Sequence, residues 1–164
     1  MGNIKILELS KESALAKANE LLLLEHNWKE IGDDAWTTEN LIYELPLKWK
    51  LSHVAILDGK IVGYQIGSLR DGKAFLNKIV VDKSVRGNKI GTKLLAAFLK
   101  KCGMEDIKRT IFRVRTDNSA YEFYDKLGFK KEAKIDKTRK DGVESYFYDT
   151  AIKEVMGNVY NSAL

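Results

Sequence analysis

Cysteine, proline and histidine are scarce in this chain. A single cysteine, Cys102, excludes an internal disulfide and a cysteine-based metal site. The two histidines, His26 and His53, lie too far apart in sequence to form a helical metal pair, so no metal is expected. One proline, Pro46, means that breaks between elements must be read from Gly, Asn, Asp and Ser. No apolar stretch is long enough to cross a bilayer. The opening Met1-Gly2-Asn3-Ile4-Lys5 lacks the charged-then-apolar layout of a signal peptide. These absences point to a reducing, cytoplasmic setting away from membranes. Linkers, repeats and low-complexity segments are also missing, so residues 1–164 read as one domain with a core over about 4–150.

What is present is an ordinary globular balance, 45% hydrophobic and 31% charged, with a net charge of +5. The lysines are scattered, so the basic surface reads as a solvated one. With no recognised motif and no aromatic–basic array, no nucleic-acid partner is expected.

Periodicity divides the chain into alternating elements. Residues 4–9 read as a strand, and 11–26 as a helix capped by Ser10. A second helix starts at Thr37 or Thr38, holds Leu41, Ile42 and Leu45, and stops at Pro46. Strands follow at 53–57, 61–69 and 74–82, joined through Asp58-Gly59 and Asp71-Gly72. Residues 89–102 have helical spacing, and 109–115 read as a strand. Ser119 with Glu122 fits a capping box for a helix closed by Gly128. Strands at 129–136 and 143–150 complete the pattern, and the last dozen residues fit either a short helix or a loose tail. The order β-α-α-β-β-β-α-β-α-β-β predicts an α/β (α+β) fold, a mixed, mostly antiparallel sheet flanked by helices.

The third meander strand runs into Arg86-Gly87-Asn88-Lys89-Ile90-Gly91-Thr92, where a helix begins. A helix start presents unpaired N–H groups and partial positive charge, so it attracts anions. Gly87 and Gly91 allow close backbone approach, and Arg86, Lys89 and Lys93 offer charge-assisted contacts. The spacing is neither a Walker A loop nor a dinucleotide fingerprint. Taken alone, the loop reads equally well as a turn with solvated basic residues.

From Ile79-Val80-Val81-Asp82 through Gly91, the segment resembles the acetyl-CoA-binding motif of the GNAT (GCN5-related N-acetyltransferase) superfamily, Arg/Gln-x-x-Gly-x-Gly/Ala. Arg86 and Gly91 match it, and Gly87 matches a common variant. Lys89 replaces the middle glycine, on the expectation that ordinary backbone angles at a helix's first turn accept a lysine. A second block, Asn118-Ser119-Ala120-Tyr121-Glu122-Phe123-Tyr124 through Gly128-Phe129, is similar to the family's Asn-x-x-Ala-x-x-Phe-Tyr-x-x-x-Gly-Phe signature.

The resemblance implies an enzyme, an N-acetyltransferase that moves an acetyl group from acetyl-CoA to a primary amine of a small molecule or peptide. It implies that Ile79 and Val81 pair through their backbone with the pantetheine arm, and that the Ile79 amide polarises the thioester carbonyl. Residues 86–92 would take the phosphates. Asn118 would contact the cofactor or cap a helix, and Tyr124 would protonate the leaving thiolate or pack in the core. A phenol's reference pKa of about 10 is near enough to a thiol's for that transfer. The positions where many relatives carry a carboxylate hold Asn77 and Arg113, neither a proton acceptor in the usual way. Deprotonation would then go through a water chain or use a group from the N-terminal helices, with Glu25, His26 and Glu30 as candidates. The acceptor region holds Trp28, Trp36, Trp49 and Tyr43 with Glu25, Glu30, Asp33, Asp34, Glu39 and Glu44. Such groups suit a cationic amine, or else form core and solvated helix faces. The alternative to an enzyme is a non-catalytic acetyl-CoA-binding sensor. A homodimer is compatible with the sequence, though no feature specifies one.

Overall fold

Six strands lie in one sheet in chain order, β1 to β6, in the computed structural model, which describes residues 2–26 and 35–164. β1 (Ile4–Glu8), β2 (His53–Leu57), β3 (Lys60–Arg70) and β4 (Lys73–Val81) form an antiparallel meander. The turns are tight, with Asp58 and Gly59, then Asp71 and Gly72, in left-handed conformations. β5 (Arg109–Arg115) joins β4 in parallel, and β6 (Ser145–Ala151) returns antiparallel to β5.

Helices cover both faces. On one side lie α1 (Lys11–Ala16), α2 (Ala18–His26) and α3 (Thr38–Ile42), whose Ala14, Leu21, Leu24 and Leu41 pack on Val54, Tyr64 and Ile66. Ser10 and Thr37 cap α1 and α3 through reciprocal bonds with Ser13 and Asn40. The single helix expected over 11–26 is broken at Lys17, and α3 ends before Leu45. On the other face α4 (Ile90–Met104) buries Leu94, Leu95, Phe98, Leu99 and Cys102. The short α5 (Ala120–Lys126) lies against β5.

Two features depart from the sequence reading. The tail is a defined amphipathic helix, α6 (Ile152–Ala163), whose Val155 and Val159 are fully buried in the core shared with α4. The strand expected at 129–136 does not form. That stretch touches β6 only through isolated bridges, Lys131 to Tyr148 and Asp136 to Ser145. The reason lies in the register. Glu132 bonds Phe147 and Asp136 bonds Ser145, so the backbone between 132 and 136 spans more residues than its partner and bulges away. The Lys130 N–H meanwhile goes to the Thr150 hydroxyl, not to a ladder carbonyl.

Candidate active site

The site is built on an irregularity in β4. Ile66 pairs with Lys78 but Gly67 with Leu76, so Asn77 is an extra residue, a β-bulge. The bulge inverts the phase of the strand. Before it, Ala74 and Leu76 lie in the core on the α4 side. After it, Ile79 and Val81 pack on that side, while Val80 packs with Tyr64 on the opposite face. Ser68 Oγ donates to Asn77 Oδ1 at 2.7 Å and pins the bulge.

Past that point β4 and β5 part. Their pairing is limited to Ala74 with Thr110 and Phe75 with Ile111. On the other edge β4 stays paired with β3 to the end, where the Asp82 N–H reaches the Val62 carbonyl at 2.8 Å. Antiparallel pairing alternates, so Val80 and Asp82 spend their backbone groups on β3. The N–H and C=O of Ile79 and Val81 therefore face the opening between β4 and β5. That opening is a strand-shaped slot with one unpaired edge.

The slot ends at the start of α4. Asp82 accepts bonds from the Ser84 N–H and hydroxyl, shaping a 3-10 turn over Lys83–Val85, and Asn88 Nδ2 donates to the Val85 carbonyl. Gly87 stands at φ 87°, and Lys89, the N-cap of α4, at φ 62°. The Lys89 expectation is therefore corrected: the position requires left-handed backbone, which favours glycine and strains a lysine. The turn from left-handed Lys89 into right-handed Ile90 gathers successive N–H groups into an anion-binding concavity. No side chain caps this helix start. A Cβ on Gly91 would meet Val81 at 3.7 Å and Phe123 at 3.9 Å, so β4, α4 and α5 converge here. Thr92 and Ile90 are buried, whereas Arg86, Gly87 and Lys89 lie nearer the surface. Two basic side chains of the loop are engaged: Lys89 Nζ donates to the Leu164 carbonyl and Lys93 Nζ to that of Ala163, at the end of α6.

Tyr124, on α5, is buried in the core on the α4 side of the sheet. Its ring packs on Phe112 of β5 at 4.5 Å and contacts Phe123, Phe129 and Tyr148. Burial pushes its phenol well above the usual tyrosine range, so it stays protonated at neutral pH. The Ser119–Glu122 capping box does not form. Asn118 Oδ1 takes the Ala120 N–H at 2.8 Å instead, so the asparagine serves as the local cap. Neither usual carboxylate position is idle. Asn77 holds the bulge, and Arg113 pairs with Asp136 at 2.6 Å. Bonds from Thr138 and then from Arg113 lower the Asp136 carboxyl to about 2.

On the opposite face of the sheet, the Glu25 carboxylate is buried at the end of α2 and pairs with Lys78. Its Oε1 also accepts the Trp36 N–H at 3.2 Å, and the Lys78 ammonium lies 4.3 Å from the centre of the Trp36 ring. The structure thus brings together Glu25 and Trp36 from the expected acceptor region. It draws Trp49 and Glu44 into a local bond of 3.3 Å and leaves His26, Glu39 and Tyr43 exposed. Trp28, Glu30, Asp33 and Asp34 lie outside the described residues. Among the described residues, no group of three or more His, Cys, Asp or Glu side chains could hold a metal ion, and no helix is long and apolar enough to cross a membrane. The sequence reading missed Lys78 and Tyr64. A lone cation in the run Ala74-Phe75-Leu76-Asn77-Lys78-Ile79-Val80-Val81 was the available signal, because a half-buried strand admits a charge only with a partner.

The single parallel pair of this mixed sheet thus opens beside the start of α4. The model of the acetyltransferase (GNAT) domain matches residues 13–148, and the chain belongs to that family. It is 30% identical over 95 residues to an uncharacterized N-acetyltransferase, MJ1530, of Methanocaldococcus jannaschii, a match covering 57% of this chain and 61% of that protein. Among solved structures, Ard1 from Thermoplasma volcanium superposes with a TM-score of 0.75 at 24% identity, over 90% of this chain and 97% of that one. PaiA N-acetyltransferase from Thermoplasma acidophilum, in complex with coenzyme A, superposes with a TM-score of 0.70 at 20% identity, over 91% and 99%.

Proposed function

We propose that this protein transfers the acetyl group of acetyl-CoA to a primary amine of a small molecule or peptide. The observation that carries the reading is the slot: β4 presents the backbone of Ile79 and Val81 to an opening that ends on the uncapped start of α4. A pantetheine arm is an extended chain of amides and adds to such an edge like a strand. The diphosphate then falls on the N–H groups of residues 87–92, with Arg86 beside them. The Ile79 N–H polarises the thioester carbonyl, and Asn118 contacts the cofactor while capping α5.

Transfer requires a neutral amine and a protonated thiol. Glu25 is the buried carboxylate of the acceptor region and takes the amine's proton. The nitrogen then bonds to the acetyl carbon as the C–S bond breaks, Tyr124 gives its proton to the departing sulfur, and the nitrogen's excess proton restores the phenol. The test is release of free thiol, with mass spectrometry of products from a mixed pool of amines and peptides. Acetylated product from the pool is the expected outcome, and a protein that binds acetyl-CoA without releasing thiol defeats the proposal. That second result is the one predicted by a non-catalytic acetyl-CoA sensor, a reading favoured by the engagement of Asn77 and Arg113 in structural contacts.

A further inference from the structure

The pair formed by Glu25 and the Trp36 ring has the composition of a receptor for an alkylammonium ion, and an alkylammonium ion already sits in it. The Lys78 ammonium pairs with Glu25 Oε1 and lies 4.3 Å from the Trp36 ring centre, well within cation–π range. We propose that Lys78 is an internal stand-in for the acceptor amine: Glu25 and Trp36 form the acceptor's ammonium site, and the incoming amine binds by displacing the lysine. This rests on the acetyltransferase reading and narrows its acceptor to a primary alkylammonium group on a slender stem, such as a lysine side chain or a linear polyamine end.

Three observations support it. The first is place. Lys78 pairs with Ile66 and so projects on the face of α2 and α3, while the next residue, Ile79, packs on the α4 face. A cofactor seated at the start of α4 leaves the opposite face for the second substrate, and that is where Glu25 and Trp36 stand. The second is spare capacity. Glu25 Oε2 and the Tyr64 hydroxyl are buried beside this ion pair without a hydrogen-bond partner among the described residues. Glu25 is 9% exposed and Tyr64 fully buried, and the two groups face each other, so it is the Glu25 carboxylate, shielded from water, that keeps room for a further donor. A substrate ammonium has three donors and would satisfy what one lysine leaves open. The third is energetic. A side-chain exposure of 16% for Lys78 and 11% for Glu25 takes both charges largely out of water. Such a pair gives little net stability over an apolar replacement, so stability is a poor reason for its presence.

The chemistry follows in balance. The displaced lysine turns to solvent, the substrate ammonium gives one proton to Glu25, and the neutral nitrogen attacks the acetyl carbon next to Ile79. The C–S bond breaks, the thiolate takes the Tyr124 proton, and the second proton of the attacking nitrogen passes to the tyrosinate, leaving a neutral amide and a restored phenol.

The experiment is to vacate the site and refill it. Lys78→Ala removes a propylammonium group, so n-propylammonium chloride is the probe. Its binding is read from the Trp36 indole ¹⁵N–¹H resonance, assigned by its loss in Trp36→Phe. The expected result is a saturable shift in Lys78→Ala at a concentration at least about tenfold lower than in the parent protein. N-propylacetamide formation should rise by a similar factor in kcat/KM. If Lys78→Ala does not fold, Lys78→Met keeps the stem and methylammonium serves as the probe. An unresponsive Trp36 resonance in the folded variant overturns the ammonium site, whatever the activity. Binding of the probe without any gain in product overturns its role in transfer. Calorimetry with acetyl-CoA on both proteins reports separately on the acetyltransferase reading, which fails if neither binds.

Discussion

The Ser68 hydroxyl donates to the Asn77 amide oxygen at 2.7 Å, at the one residue by which β4 exceeds its partner strand. This bond fixes where the phase of β4 inverts, and hence which backbone groups meet the slot. Deleting Asn77 leaves Ile66 opposite Lys78 and Gly67 opposite Leu76, so Ile79 and Val81 keep their edge, but it removes the bulge and the bend that parts β4 from β5. Acetyl-CoA binding by calorimetry should vanish in the deletion variant. Ser68→Ala should keep binding and lose about 1 kcal/mol of stability in urea. Full cofactor affinity in the deletion variant would count against the slot.

Tyr124→Phe keeps the ring that Phe112 and Phe129 pack against and removes only the hydroxyl. Turnover should drop by about 10²-fold, the range for loss of a general acid, with acetyl-CoA affinity unchanged. Unchanged thiol release in this variant would leave Tyr124 as a core residue alone.

Lys89 stands at φ 62°, where glycine is at ease. Lys89→Gly should therefore raise stability by about 0.5–1 kcal/mol, measured by urea denaturation. The substitution also removes the bond from the lysine ammonium to the Leu164 carbonyl, but this lies at the surface and offsets little of the gain. A loss of stability would show that the loop's tie to α6 outweighs the backbone strain.

His53 is buried and shares one hydrogen bond with Gln65 Oε1 at 2.8 Å. Burial lowers its pKa below the usual 6.5, with Gln65 and Glu8 opposing the shift. The unfolded chain thus takes up the proton more readily, and acid favours unfolding. The stabilising contribution is complete above pH 6.5 and is lost as pH falls through the lowered value. The melting temperature should decline as pH falls below 6.5, more steeply in the parent than in His53→Gln. Parallel declines would assign the acid sensitivity to other groups.

Much of this architecture was legible from periodicity, because the meander turns carry Asp-Gly pairs and α4 carries a continuous apolar face. The turn before α4 was legible too, since Gly87 takes a left-handed conformation and Gly91 lies close to Val81 and Phe123. What the residues did not disclose is register. Nothing in Leu76-Asn77-Lys78 announces a bulge, yet that one residue decides which side of the sheet Lys78 faces. The Lys89 conformation was hidden for a related reason: a left-handed angle is set by how the 3-10 turn feeds α4, not by the lysine itself. The stretch 129–136 reads as a strand by composition and fails because its length does not match that of β6 across the bridges.

Only Ala74, Phe75, Thr110 and Ile111 stitch the four-stranded part of the sheet to the two-stranded part. So short a seam gives the main chain little hold on the width of the mouth beyond it. Side chains must do the joining: Leu95, Phe98 and Leu99 wedge between Leu76 on one leaf and Phe112 on the other. The aperture is thus set by interior volume, and trimming a methylene from Phe98's neighbours would let the two leaves settle at a new angle far from any residue that handles substrate.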